Sequence, residues 1–303
     1  GALDPMVSSL EITGYSTPTF KLASARLGTT GTRGSHTVSL AARNDDFDAT
    51  VQVRGSQSGA SWTGTIDSLQ NKGRYALVLQ APVPVKVAGP ANSGVAGLGQ
   101  PEQISVGNTV IKLPAGSITM QSLVKNGPRW TSSGQAAGVA LTYLAHVIPA
   151  LQANARSDLT LGPQWSPDMQ VPTAKQKDPS LAGMLHIYRE KGDVTVGVEQ
   201  PLALGLRTLD ARVDVANQQL RLAVKLDGAR AGQSDINATV QMLGGRISND
   251  SALSLTGTTN IDSLAWLAPL TGQPGLELGG ALKVALSGSG TIERMCRPPL
   301  LEG

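Results

Sequence analysis

Alternation of apolar and polar residues constrains the fold of this chain more than any other feature of its sequence. Successive side chains of a β-strand emerge on opposite faces, so a period of two marks a strand with one apolar and one polar face. In the second half of the chain the apolar positions are Val194, Val196, Val198, Leu202, Leu204, Leu206, Val213, Val215, Leu220, Leu222, Val224, Leu226, Ile236 and Val240. In the first half they are Val38, Leu40, Val51, Val53, Leu77, Leu79, Val83, Val85 and Val87. The sequence therefore predicts a mainly β protein built of many short strands.

Turn residues between these runs predict antiparallel hairpins. Asn217-Gln218, Asp227-Gly228 and Gly244-Gly245 separate successive runs at the spacing of about 8 to 12 residues that hairpin-connected strands have. The apolar face is expected to unite Leu220, Leu222, Val224, Leu226, Val194, Val196, Val198, Ile236 and Val240. Arg221 and Lys225 alternate with these residues, so we expect both to face solvent.

Two segments have the apolar spacing of an amphipathic helix. One covers residues 139 to about 153, and the other covers 262–270, where Asp262 is a good N-cap residue. We expect both helices to cap the apolar lining by burying Leu141, Leu144, Leu264 and Leu267, because short helices are unstable without such burial. Residues 134–144 also align with 257–267, which indicates an internal repeat of stacked units.

Composition leaves two interpretations of the apolar face open. Hydrophobic residues make up 40% of the chain but aromatic residues only 3%, so the bulky groups that usually fill a thick core are scarce. The face is either the core side of a closed β-sandwich or barrel, or an open groove that holds lipid. The residues by themselves do not choose between the two.

Several classes of function find no support in the sequence. The 25 Lys and Arg residues against 22 Asp and Glu leave a net charge of +3 without a basic cluster, which argues against nucleic-acid binding. His36, His146 and His186 lie far apart and outside any metal-ligand or nucleophile motif. We therefore predict no enzyme activity, no catalytic residue, no metal site and no cofactor.

One acidic segment has part of the spacing of a calcium-binding loop. Asn44, Asp46 and Asp48 occupy the first three ligand positions, but Ala49 stands where the loop needs glycine and Gly55 where it needs a bidentate glutamate. An acidic hairpin turn is the better interpretation.

Residues 62–82 carry a motif of a known family. They include Trp62-Thr63-Gly64-Thr65-Ile66-Asp67-Ser68-Leu69, then Tyr75-Ala76-Leu77 and Ala81-Pro82. This resembles the Trp-x-Gly-x-Leu-x-x-Leu unit, followed by aromatic-x-Leu-x-x-Pro, of TamB proteins in the AsmA-like superfamily. Further motifs in the same order are Gly192-Asp193-Val194-Thr195-Val196, Pro201-Leu202-Ala203-Leu204-Gly205-Leu206, Leu264-Ala265-Trp266-Leu267 and Gly275-Leu276-Glu277-Leu278-Gly279-Gly280. The resemblance covers residues 62–290 and identifies the chain as an internal segment of such a protein.

The resemblance implies a fold, a function and partners. The fold is an elongated, curled antiparallel sheet like a taco, apolar inside and open along one side, with two short amphipathic helices. The function is a non-enzymatic conduit that carries phospholipid across the periplasm between the inner and outer membrane, and the acyl chains contact the fourteen apolar positions of the second half. An N-terminal helix upstream would anchor the parent protein in the inner membrane, and other regions of it would meet the outer-membrane barrel protein TamA.

Two alternative functions and a domain division complete the expectations. The chain is alternatively a factor that assembles outer-membrane β-barrel proteins and autotransporters together with TamA, or a generic β-sandwich binding module. Residues 1–5 are interpreted as a remnant of cloning, residues 6–294 as the stacked β segment, and residues 295–303 as a tail also derived from cloning. Within the β segment we expect repeat units around 62–160 and 183–290.

Overall fold

The structure is a computed structural model that describes residues 4–17, 20–90, 98–147, 156–196, 201–271, 273 and 275–296. The chain divides into two compact units, Gly1–Val139 and Ala140–Gly303. The described residues are mainly in antiparallel strands, with few and short helices, which confirms the predicted fold class. The division at residues 5 and 294 and the repeat units around 62–160 and 183–290 stay predictions.

The first unit is an antiparallel sheet whose neighbouring strands mostly follow one another in the chain. Its strands are β1 Pro5–Ser16, β2 Lys21–Thr32, β3 Ser35–Arg43, β4 Asp48–Ser58, β5 Ser61–Asn71, β6 Leu77–Leu79, β7 Val83–Ala88, β8 Gln103–Val106, β9 Thr109–Lys112, β10 Ser117–Asn126 and β11 Arg129–Ala137. Strands β1 to β5 pair in chain order, and the ladder continues from β5 through β7, β8 and β10 to β11. The short β6 pairs with β5 and β9, and β9 pairs with β10.

The second unit has a main sheet and a small one. After β12 Val139–Ala140 and the helix α1 Leu141–Val147, the elements are β13 Arg156–Ser157, β14 Thr160–Trp165, β15 Asp168–Gln170, β16 Ser180–Lys191, β17 Val194–Val196, β18 Leu202–Ala203, β19 Leu206–Ala216, β20 Gln219–Gly228, β21 Gly232–Gln241, β22 Ala252–Ile261, a 3₁₀ helix Ala265–Thr271, β23 Leu282–Thr291 and α2 Ile292–Cys296. In the main sheet β14 and β15 pair with β16, and β16, β19, β20, β21, β22 and β23 pair in that order. The small sheet consists of β13, β17 and β18.

Two of the three predicted hairpin turns are confirmed. Asn217 and Gln218 join β19 to β20 with φ angles of 51° and 59°. Gly244 and Gly245 have φ angles of 55° and 72° between the bridged residues Leu243 and Arg246. Positive φ at both central residues is the geometry that matches the twist of antiparallel strands.

The turn predicted at Asp227-Gly228 is wrong. Both residues belong to β20, where Gly228 pairs with Gly232 of β21, and the loop 229–231 makes the reversal. Gly232 follows the loop with a φ of 71°, so it supplies the left-handed residue that a three-residue hairpin loop requires. The glycine that makes the turn possible therefore stands after the loop and not before it.

The predicted common apolar face is wrong for Val194 and Val196. Val194 and Val196 lie in β17, and Leu202 in β18 pairs with Val196, so these residues belong to the small sheet and not to the sheet that contains β20. Leu204 lies in the connection between β18 and β19. Val198 lies outside the described residues.

Both helices begin later than predicted, and their leucines are less buried. The first begins at Leu141, because Val139 and Ala140 are in β12, and its predicted part beyond 147 lies outside the described residues up to 155. The second is a 3₁₀ helix with Pro269 inside it and no buried residue. Proline removes a backbone donor from so short a segment, which disfavours an α-helix. All four predicted leucines are half-buried, namely Leu141, Leu144, Leu264 and Leu267.

Full burial is confined to a small part of the apolar side chains. In the described residues it is reached by Val83, Leu113, Ala136, Val139, Leu159, Leu161, Leu206, Val215 and Met242. Many strand residues keep contact with solvent; Leu27 is 37% exposed, Leu40 40% and Leu286 52%. Inward-facing residues of a closed β-sandwich are buried between its two sheets. The apolar faces of these strands therefore resemble an uncovered sheet more than a sealed core.

Candidate functional site

Aliphatic side chains form continuous rows across the main sheet of the second unit. Residues directly opposite each other in an antiparallel pair emerge on the same face, so the pairing register identifies each row. One row is Val215, Leu220, Val240 and Leu253, the next is Leu185, Val213, Leu222, Ala238 and Leu255, and a third is Ile187, Ala211, Val224 and Ile236. With Leu206, Leu209, Leu226, Val284 and Leu286 these residues are called the unit-2 apolar face.

The structure brings together most of the predicted lining residues of this half. Those on the unit-2 apolar face are Leu206, Val213, Val215, Leu220, Leu222, Val224, Leu226, Ile236 and Val240. Their role in holding lipid stays a prediction. Sequence reasoning missed Leu253 and Leu255, although Ser254 alternates with them. It also missed Leu185 and Ile187, because Met184 and Tyr188 on the other face are apolar too and hide the alternation.

A β-bulge keeps Leu206 on this face. Leu206 pairs with Gly228, but Thr208 pairs with Asp227, so Arg207 is an extra residue in β19. Without it, Leu206 would emerge on the same side as Arg212 and Asp214, since side chains alternate strictly. The change from even to odd apolar positions between Leu206 and Leu209 is the signal of this bulge in the sequence.

The opposite face of the same strands is polar. Arg221 and Lys225 are exposed there, as predicted. Arg212 Nε donates to Asp214 Oδ2 at 2.6 Å, and this hydrogen bond lowers the pKa of the Asp214 carboxyl below its ordinary value. Such exposed ion pairs add little stability, but they mark a face that is solvated. The sheet is thus amphipathic, with its polar side turned to water.

An apolar pocket lies at the β16 end of the unit-2 apolar face. Its volume is about 340 Å³, and its lining includes Trp165, Leu181, Val213 and Val215. Gly183 in this pocket has a φ of 119°, and any side chain there would collide with the backbone at Ser166 and Pro167. The absence of a side chain at Gly183 therefore allows residues 166–167, which connect β14 and β15, to lie against β16 and line the pocket.

Asp193 joins the residues on either side of β17 and β18, the two strands that lie outside the main sheet. Its carboxylate accepts hydrogen bonds from the backbone N–H groups of Val194 at 2.8 Å, Gly205 at 2.7 Å and Leu206 at 3.0 Å. Partial burial by itself would raise the pKa of Asp193, but the three backbone hydrogen bonds outweigh it and hold the pKa below its usual range. The Asp193 side chain thus binds the residue that begins β17 and the residues that follow β18.

The first unit has an apolar face of the same kind. Its rows are Leu10, Leu27, Leu40, Val51 and Leu69, then Val38, Val53, Ile66 and Val83, then Val85, Val106 and Leu123, and together they are called the unit-1 apolar face. Alternation predicted the positions in β3, β4 and β7. It did not reveal β2, because small residues surround Leu27 and weaken the period.

Comparison with known proteins agrees with this architecture. A family model described as TamB, N-terminal domain, matches residues 8–303. The chain belongs to the TamB family. No curated protein and no solved structure matches the chain. The resemblance read from the Trp62 motif is thereby confirmed, and the matching domain is the N-terminal one of the family.

Membership of the TamB family places the chain in a class of transport and assembly components. The family spans the periplasm and is not a known enzyme family. No described helix has the length and apolar character needed to cross a membrane. In the described part of the chain, no group of three or more His, Cys, Asp and Glu side chains is placed to hold a metal ion.

Asn44 and His186, which have side chains able to bind a metal, have structural partners instead. Asn44 Oδ1 accepts hydrogen bonds from the backbone N–H groups of Asp46 at 2.8 Å and Phe47 at 2.7 Å, which confirms a hairpin turn in place of a calcium loop. His186 Nε2 lies 2.8 Å from Asp210 Oδ2 on the polar face. His146 lies in α1, and its side chain is outside the described set.

Proposed function

We propose that this chain is part of a non-enzymatic conduit that carries phospholipid across the periplasm between the inner and outer membrane. The observation that supports the proposal is the set of aliphatic rows that cross neighbouring strands and remain half-exposed. Acyl chains would lie along these rows, and the headgroups would stay in water. As in the resemblance, an upstream helix anchors the parent protein and regions outside this chain meet TamA.

The energetics favour a surface of this kind. Each CH₂ exposed to water costs about 0.8 kcal/mol, so a sixteen-carbon chain faces roughly 12 kcal/mol on its way between membranes. Neighbouring strands lie about 4.8 Å apart, so the row that crosses five strands, from β16 to β22, extends over roughly 19 Å. Dispersion and hydrophobic contacts are non-directional, which allows a chain to slide along a row without breaking specific bonds.

A second candidate function is the assembly of outer-membrane β-barrel proteins. The observation that favours it is the exposure of β1, where Val7 is 81% and Leu10 55% exposed, while the described pairing of this strand is with β2. An exposed apolar edge strand is a template onto which an incoming strand adds through backbone hydrogen bonds. Such a factor would capture polypeptide in an extended state.

One binding experiment separates the two candidates. The purified chain is incubated with vesicles of phosphatidylethanolamine and phosphatidylglycerol, and in parallel with a urea-unfolded outer-membrane barrel protein. Retention of phospholipid after re-purification supports the conduit. Retention of the barrel protein without phospholipid would reject the conduit in favour of assembly.

A further inference from the structure

Trp62, the first residue of the family motif, fills a gap in the unit-1 apolar face. Gly55 of β4 pairs directly with Gly64 of β5, and neither supplies a side chain to the face. The six-membered ring of Trp62 occupies the space that a side chain at either glycine would need. The indole therefore covers two stretches of polar backbone that would otherwise interrupt the aliphatic rows between Val53 and Val85.

His36 holds the indole in this position. Trp62 Nε1 donates a hydrogen bond to His36 Nε2 at 2.8 Å, and the other ring nitrogen, Nδ1, lies 3.2 Å from the carbonyl oxygen of Thr32. A carbonyl only accepts and an indole N–H only donates. The imidazole must consequently be neutral, with its proton on Nδ1 and its lone pair on Nε2.

Protonation of His36 is incompatible with this arrangement. A proton on Nε2 would face the indole N–H donor-to-donor, so the bond to Trp62 would be lost while the bond to Thr32 remained. Histidine is the side chain that changes its charge between about pH 5 and 8. We propose that the His36 and Trp62 pair is a pH-sensitive latch, closed over Gly55 and Gly64 when the imidazole is neutral and released when it is charged.

The groups around the latch do not compensate the added charge. The cross-strand partners of His36 are Gly31 in β2 and Gly55 in β4, and those of Trp62 are Gln57 in β4 and Val87 in β7. Arg33 lies in the adjoining turn. Arg54 leaves β4 on the opposite face, where it pairs with Asp67. None of these four cross-strand partners carries a carboxylate that would pair with an imidazolium at position 36.

The latch regulates the apolar face if the proposed function is correct. With the indole in place the face is continuous, and an acyl chain crosses β4 and β5 on apolar atoms. With the indole released, the acyl chain meets the exposed peptide groups of Gly55 and Gly64. Loss of one hydrogen bond of ordinary strength changes the ratio of closed to open forms on the order of fivefold. Acidification should weaken lipid binding at this face by up to a similar factor, because affinity follows the fraction of the closed form.

Tryptophan fluorescence tests the latch without lipid. Emission of the chain minus emission of a Trp62→Phe variant is recorded from about pH 8 down to about pH 4, a range that spans the charge change of histidine side chains in folded proteins. The difference signal should shift with a single titration. The shift should disappear in His36→Gln, which keeps a donor and an acceptor but does not titrate, and should persist in the control His186→Gln. A difference signal that is independent of pH, or that titrates equally in His36→Gln, would overturn the proposal.

A lipid probe then separates the latch from the conduit. Pyrene-labelled lysophosphatidylcholine is used, because its headgroup charge does not change over this range. Binding on the order of fivefold weaker at acid pH, in the natural chain and not in His36→Gln, supports both proposals. Absence of binding at either pH, with the fluorescence shift intact, would reject the conduit and leave the latch standing. Binding that is the same at both pH values would reject the regulation.

Discussion

At the scale of single residues, backbone strain is concentrated in the turn between β19 and β20. Asn217 and Gln218 both have positive φ, which asparagine tolerates and glutamine does not. Gln218→Gly should raise the free energy of unfolding by about 0.5 to 1 kcal/mol, because relief of the left-handed strain exceeds the extra entropy of glycine in the unfolded chain. Urea unfolding measures the change. A decrease in stability would show that this turn is not strained.

Leu222 tests whether the apolar face is open. It pairs with Val213 and Ala238 and is half-buried. Because arginine can extend its charged end to water from an uncovered face, Leu222→Arg should lower the free energy of unfolding by less than about 2 kcal/mol. In a sealed core the cost would exceed about 4 kcal/mol.

Thr256 provides the matched control for this substitution. It is exposed on the polar face of β22, where it pairs with Asn237 and Ser287. Thr256→Arg should therefore leave stability within about 0.5 kcal/mol of the natural chain. Global unfolding of Leu222→Arg alone would contradict an open face and favour a closed sandwich.

Among the elements, the segment that contains β17 and β18 depends on Asp193. The pKa of the Asp193 carboxyl is lower in the folded chain than its unfolded value of about 3.9. The ionised carboxylate therefore stabilises the fold at pH values above the unfolded pKa, and this stabilisation is lost as the pH falls through the lower pKa of the folded chain. Asp193→Asn should raise amide hydrogen exchange at Gly205 and Leu206 about tenfold at neutral pH.

Acid provides a check on this mechanism. As the pH falls through the lowered pKa of Asp193, below the ordinary value of about 3.9, the natural chain should approach Asp193→Asn in its exchange at Gly205 and Leu206, since protonation leaves a neutral side chain at position 193 in both proteins. The exposed Asp262 serves as the control, and Asp262→Asn should change neither amide. Equal amide exchange at Gly205 and Leu206 in the natural chain, Asp193→Asn and Asp262→Asn at neutral pH would show that Asp193 does not stabilise this segment.

The elements also show what a sequence can predict for such a chain. Alternation located β20 and β21 and their faces, because the period of two depends on each strand alone. It assigned Val194 and Val196 to the wrong sheet, because their position depends on hydrogen bonds of Asp193 to residues 12 and 13 positions away. The apolar helix period failed at 262–270, where Pro269 favours a 3₁₀ turn.

For the molecule as a whole, the scarcity of aromatic residues agrees with rows of half-exposed aliphatic side chains. Such rows need uniform small branched side chains more than bulky ones. Trp62 departs from this rule, and its position over Gly55 and Gly64 explains why this chain needs glycine two residues after the tryptophan. The sequence contained this motif, but the role of His36 depends on a contact between β3 and β5 that no local pattern reveals.

Site-specific photo-crosslinking tests the central claim most directly. A photoactivatable amino acid replaces Leu222 on the unit-2 apolar face or Thr256 on the polar face, in the full-length protein in intact cells, and the adducts are identified by mass spectrometry. We expect phospholipid adducts at position 222 and none at position 256. Polypeptide adducts without phospholipid at position 222, or equal phospholipid labelling at both positions, would contradict the account.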